Sequence, residues 1–121
     1  MGKFEKVLIA SDFDGTLKND DGIITADVRS AIAYFISEGG YFTVCTGRTY
    51  QGFHLYDPSY INAPVLLTNG SMAYDYEKNE PVFVNGIEAE QGITFVRAIM
   101  EKFPEVSIEM YPFDSTYAIH L

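Results

Sequence analysis

Two short apolar runs on either side of one amphipathic helix constrain the fold of this chain more than any other feature. Val7-Leu8-Ile9-Ala10 and Tyr41-Phe42-Thr43-Val44-Cys45 are too short for helices and rich in strand formers. Both read as β-strands, the first of them buried. Between them, Thr25 is a candidate N-cap, and Val28, Ala31, Ile32, Phe35 and Ile36 follow the i, i+3, i+4, i+7, i+8 stripe of a helix packed on one face. Gly39-Gly40 supplies the stop. The pattern is a βαβ unit, whose strands run parallel through a right-handed crossover. Both strands then end on the same sheet edge, where ligands of such folds bind.

At that edge the first strand runs into Asp12-Phe13-Asp14-Gly15-Thr16-Leu17. Side chains two apart on an extended chain share a side, so Asp12 and Asp14 converge if the backbone stays extended through Phe13. Gly15 allows a sharp turn that frees N–H groups to face an anion. Two carboxylates and a turn of amides suit a hard cation plus a phosphate. A calcium loop of the EF-hand type also begins this way, but its sixth and twelfth positions would fall on Leu17 and Ile23 instead of Gly and Glu, which excludes it. A plain Asp-Gly turn is the alternative for the motif taken alone. The second strand ends at Thr46-Gly47-Arg48, which offers a hydroxyl, close backbone approach and a bidentate cation. Asp12, Asp14 and Thr46 are therefore expected to be neighbours, as half of a phosphoryl-transfer site.

These two motifs, with Thr68-Asn69-Gly70-Ser71 after a third strand, resemble the haloacid dehalogenase superfamily. Within it they are most similar to the Cof-type branch of Mg²⁺-dependent sugar-phosphate and small-metabolite phosphatases. The resemblance implies an α/β fold: a Rossmannoid core with a parallel sheet, followed by an α/β cap. It implies that Asp12 is the nucleophile that becomes an aspartyl phosphate. Asp14 is implied as the general acid that protonates the leaving oxygen and later helps activate water. Thr46 would hold the phosphoryl group, with Gly47, Arg48 and Asn69 on the phosphate or substrate side. Mg²⁺ would bind the Asp12 carboxylate and the Asp14 backbone carbonyl. A carboxylate at position 14 favours a phosphatase or phosphomutase over a dehalogenase or ion pump.

Two elements of the family pattern are missing. Members carry a basic residue, usually lysine, after the cap, and then an acidic pair in a Gly-Asp-rich loop. Beyond the third strand the only Lys or Arg residues are Lys78, Arg97 and Lys102, and no such loop follows. The 121 residues are thus expected to be the N-terminal part of a longer enzyme, or a non-catalytic phosphate- and metal-binding fragment. Residues 1–85 read as the incomplete core and 86–121 as the start of the cap. Met72–Tyr76 and Pro81–Val84 flank Glu77-Lys78-Asn79-Glu80 as a hairpin. Ile93, Val96, Met100 and Phe103 mark a helix over Glu88–Phe103, with Glu88 and Glu90 at its N-terminus. Val106–Met110 and Thr116–Leu121 read as strands. A core sheet without its later strands would present an unpaired apolar edge, which favours self-association.

A net charge of −9 argues against a nucleic-acid partner, which needs a basic stripe, and the resemblance implies a small phosphorylated metabolite as the ligand. No apolar run approaches the roughly 18 residues of a spanning helix, so no membrane partner is expected. A lone cysteine excludes an internal disulfide and fits a reducing cytoplasm. Cys45, in an apolar strand with no nearby His, reads as a buried thiol instead of a nucleophile. His54 and His120 lack metal-ligand spacing. Tyr50, Tyr56, Tyr60, Tyr74 and Tyr76 read as packed rings with wet hydroxyls, and Asn19-Asp20-Asp21-Gly22 reads as a turn.

Overall fold

The computed structural model describes residues 2–113 and 115–119. They form two compact units, Met1–Val84 and Asn85–Leu121.

In the first unit, strand β1 (Leu8–Ser11) leads into a wide turn over Phe13–Leu17 and then helix α1 (Ala26–Ser37), which delivers strand β2 (Tyr41–Val44). β1 and β2 pair in parallel, from Leu8 opposite Tyr41 to Ser11 opposite Val44. The expected βαβ unit is therefore present. Thr25 caps α1 by accepting a hydrogen bond from the Val28 N–H at 3.4 Å. The helix closes where Gly40 N–H donates to the Phe35 carbonyl at 3.1 Å. Only Ile32 and Phe35 of the apolar stripe are fully buried; Ile36 packs against the core at its margin.

A short helix α2 (Tyr50–Phe53), absent from the sequence expectation, follows. Thr49 caps it, accepting from the Gly52 N–H at 3.1 Å, and it places Phe53 fully inside the core. Strand β3 (Val65–Leu67) is linked to the end of β2 through a parallel bridge between Cys45 and Leu66. Further back along β2, the Asn62 side chain stands in for a strand, accepting from the Phe42 N–H at 2.7 Å and donating to the Gly40 carbonyl at 3.0 Å. β3 continues antiparallel into β4 (Met72–Asp75), and β4 into β5 (Glu80–Val84), which is the expected hairpin. The core gathers Phe13, Phe35, Phe42, Val44, Phe53 and Leu67.

β1 is not the buried strand that its composition implies. Leu8 is 59% and Ile9 43% exposed, because β1 pairs only with β2 among the described residues. The expected unpaired apolar edge lies here. The tyrosine hydroxyls also depart from expectation. Those of Tyr60 and Tyr76 are buried with no hydrogen-bond partner among the described residues, and burial pushes the Tyr60 hydroxyl up to about 12.

The second unit holds helix α3 (Ala89–Lys102) and an antiparallel pair, β6 (Ile108–Met110) with β7 (Tyr117–Ile119). α3 carries the expected apolar stripe but has no fully buried residue. The last two residues of the final expected strand, His120 and Leu121, lie outside the described residues. No helix among the described residues is long and apolar enough to cross a membrane.

Candidate active site

The site is built where β1, β2 and β3 end. Asp12 leaves β1 in an extended conformation, and the chain bends into the Phe13–Leu17 turn, which is closed by Lys18 N–H donating to the Phe13 carbonyl at 2.9 Å. Phe13 is driven into the core, where it meets Phe53 and Tyr56 edge-on at 5.0 and 4.9 Å. With Phe13 held inside, the flanking Asp12 and Asp14 face outward. Gly15 makes the bend with φ +73°, a conformation any other residue would adopt only under strain.

The loops after β2 and β3 are tied to each other. Thr46 N–H donates to the Leu66 carbonyl at 2.9 Å, Thr68 N–H to the Arg48 carbonyl at 2.9 Å, and Asn69 N–H to the Thr46 carbonyl at 3.1 Å. Thr68, Asn69 and Gly70 all have positive φ, at 51°, 54° and 90°. For a β-branched threonine this is a strained conformation, of the kind that concentrates at functional sites. Gly47 faces this loop so closely that a Cβ there would stand 3.1 Å from Asn69 Oδ1.

A cleft of about 310 Å³ lies between these loops, lined by Asp12, Cys45, Thr46, Gly47, Leu66, Asn69 and Gly70. Four of the sequence candidates, Asp12, Thr46, Gly47 and Asn69, are therefore brought together. Asp12 Oδ2 accepts a hydrogen bond from Thr16 Oγ1 at 2.8 Å. The buried Thr46 hydroxyl accepts from the Arg48 N–H at 3.1 Å, leaving its own proton to donate. Cys45 is half-buried against the cleft and not sealed in the core. Burial pushes its thiol up, which disfavours the thiolate a nucleophile needs.

Asp14 does not line the cleft. Its carboxylate is gripped by Arg48, whose Nε donates to Oδ2 at 2.6 Å and Nη2 to Oδ1 at 2.9 Å. Lys18 Nζ adds a third contact at 3.0 Å to Oδ1. The Arg48 hydrogen bonds, seconded by Lys18, hold Asp14 at about 2, well below the usual carboxylate range. Arg48 is thus a partner of Asp14 in this arrangement. Two contributors were not singled out in the sequence: Thr16, inside the motif itself, and Lys18, whose spacing of four from Asp14 was the available signal.

Among the described residues, no three His, Cys, Asp or Glu side chains converge as a metal cage. One carboxylate on the cleft, with Asp14 engaged elsewhere, is the sparse donor set Mg²⁺ uses when waters and substrate oxygens complete its octahedron.

The fold and motifs have counterparts among known proteins. A family model described as haloacid dehalogenase-like hydrolase matches residues 9–121. The chain is 38% identical over 68 residues to the 5-amino-6-(5-phospho-D-ribitylamino)uracil phosphatase YwtE of Bacillus subtilis, covering 55% of this chain and 23% of that protein. It is 32% identical over 113 residues to B. subtilis YxeH, covering 90% of this chain and 40% of that one. Its fold matches the phosphatase BT1666 of Bacteroides thetaiotaomicron with a TM-score of 0.79 at 18% identity, covering 98% of this chain and 42% of that structure. The chain thus spans less than half the length of these relatives. With a family match running from β1 to the last residue, and the Asp12 and Thr46 loops meeting at one cleft, the chain belongs to the haloacid dehalogenase-like hydrolase family.

Proposed function

We propose that this chain carries the nucleophile half of a Mg²⁺-dependent phosphatase acting on a small phosphomonoester such as a sugar phosphate. The observation that supports this reading is the gathering of Asp12, Thr46, Gly47 and Asn69 round one cleft, beside an Asp14 anchored by Arg48. The name of YwtE specifies a phosphate on a ribityl chain, which favours the same substrate class here.

An Asp12 carboxylate oxygen attacks phosphorus, and the bond from phosphorus to the leaving oxygen breaks. For Asp14 to give that oxygen a proton, and then take one from the water that releases phosphate from Asp12, substrate binding must draw its carboxylate off Arg48 and Lys18, which hold it ionised in this arrangement. The Thr46 hydroxyl and the backbone at Gly47 steady the phosphoryl oxygens, and Asn69 faces the substrate. Mg²⁺, held by the Asp12 carboxylate and the Asp14 backbone carbonyl, would neutralise charge between two mutually repelling anions. The lone Cys45 accords with a cytoplasmic setting. Exposed Val7, Leu8 and Ile9 support self-association of the 121-residue chain through the β1 edge.

In the full-length protein, Asp12→Asn should abolish Mg²⁺-dependent release of inorganic phosphate. Retained turnover would remove the nucleophile assignment. Recovery of an isomerised sugar phosphate in place of free phosphate would make the enzyme a phosphomutase.

A further inference from the structure

Asp12 lines the cleft and stands at the N-cap position of the Phe13–Leu17 turn, yet its carboxylate makes no cap hydrogen bond to the backbone of that turn. An aspartate so placed commonly spends a side-chain oxygen on an N–H of the first turn. Here a side chain holds the carboxylate instead, as Thr16 Oγ1 donates to Oδ2 at 2.8 Å. Among the described residues Oδ1 accepts no hydrogen bond. The main chain is fixed as well, since Ser11 Oγ donates to the Asp12 carbonyl at 2.8 Å. Thr16 is placed by its neighbours. Phe13 and Leu17 are buried in the core at either end of the turn, Gly15 bends the chain between them, and Lys18 N–H closes it on the Phe13 carbonyl at 2.9 Å. Thr16 is itself exposed and outside the core, so packing does not account for its side chain.

We infer that Thr16 is a positioning residue for Asp12: by tying down Oδ2 it commits Oδ1 to the phosphorus, and it supports the carboxylate when the phosphoryl group leaves. The inference rests on the nucleophile reading above. An oxygen that accepts a hydrogen bond has a lone pair engaged and its charge partly drawn off, so the other oxygen is the better nucleophile. In the first step an Oδ1 lone pair forms the bond to phosphorus. The electron pair of the breaking bond departs on the leaving oxygen, which takes up a proton. In the second step water bonds to phosphorus and gives up a proton, and the electron pair of the phosphorus–Oδ1 bond returns to Asp12. Phosphoryl transfer has a loose transition state, with little bonding to the attacking or departing oxygen. The carboxylate therefore keeps most of its charge as it attacks, and has regained most of it as it is expelled. A hydrogen bond to a charged acceptor is roughly twice as strong as one to a neutral acceptor. The Thr16 bond thus changes little on entering the first transition state and strengthens on entering the second.

The test is rapid mixing of the full-length protein with p-nitrophenyl phosphate and Mg²⁺, where p-nitrophenol reports the first step and inorganic phosphate the second. This substrate has a good leaving group, so the second step governs its steady rate. Thr16→Val should release about one equivalent of p-nitrophenol per site in a burst, at a rate within about threefold of wild type. Its steady rate should fall roughly ten- to a hundredfold, the scale of a lost hydrogen bond to a charged group. KM should fall with kcat, leaving kcat/KM, which reports only the steps through leaving-group release, within about threefold. Thr16→Ser keeps the donor and should recover most of the loss. Thr16→Ala also removes the donor and should repeat the pattern even if valine disturbs the turn. A fall in kcat/KM as large as that in kcat, unchanged turnover in the valine and alanine variants, or no rescue by serine would overturn the assignment and leave Thr16 as a turn residue. Undiminished turnover in Asp12→Asn would overturn the nucleophile reading and this inference with it.

Discussion

Helix α1 and helix α3 are both amphipathic, yet α1 buries Ile32 and Phe35 whereas α3 buries nothing fully, leaving Ile93 at 53% and Phe95 at 65% exposure. What differs is the surface each unit supplies. Met1–Val84 sets α1 among five strands, which the Cys45 bridge and the Asn62 amide link together. Among the described residues, Asn85–Leu121 offers α3 one two-stranded pair, too little sheet to cover a helix face. An apolar stripe states what a helix can bury. The partner surface decides whether it does.

Truncating a side chain in each unit gives the largest contrast. Phe53→Ala removes a fully buried ring and should cost about 3–5 kcal/mol in urea denaturation of the 121-residue chain. Phe95→Ala should cost less than about 0.5 kcal/mol. Similar losses at the two positions would erase the distinction between the units. The helix caps sharpen the comparison at a smaller scale. Thr25→Ala removes a cap hydrogen bond and should cost about 1 kcal/mol, while Glu88, which makes no side-chain cap bond, should tolerate alanine within about 0.5 kcal/mol.

Smallest of all is the pH effect carried by Asp14. Its pKa is lowered from 3.8 to about 2 by Arg48 first and Lys18 second, so its contribution to stability is complete above 3.8 and fades as pH falls toward about 2. The side chain is 46% exposed and solvent screens it. Asp14→Asn should therefore flatten the urea midpoint only slightly across that interval. An unchanged slope would mean that the Arg48 and Lys18 contacts do not persist in solution.

Much of the first unit was legible in the sequence, because its elements announce themselves by period and cap: Thr25, the Ile32–Phe35 stripe, Gly39-Gly40 and the Met72–Val84 hairpin. Helix α2 was not, since four residues carry no period and only the Thr49 cap marks them. Exposure of Leu8 and Ile9 was hidden for a different reason: apolar composition reports what a strand would bury, not which neighbours it has. The site divided in the same way. Asp12, Thr46, Gly47 and Asn69 meet at one cleft because strand register places them there. The turning of Asp14 toward Arg48 is a side-chain choice made across loops that no local pattern encodes, whereas its contact with Lys18 had the spacing of four as its signal. The buried hydroxyls of Tyr60 and Tyr76 belong to the same class, set by packing that a pattern of rings does not specify.

The central claim, that Asp12 takes the phosphoryl group, is tested most directly by borohydride trapping during turnover of the full-length protein with a phosphomonoester and Mg²⁺. Reduction of an aspartyl phosphate leaves homoserine, and peptide mass spectrometry locates it. The account predicts homoserine at position 12 and at no other aspartate. Turnover that proceeds with Asp12 unmodified, or homoserine at another position, would contradict it.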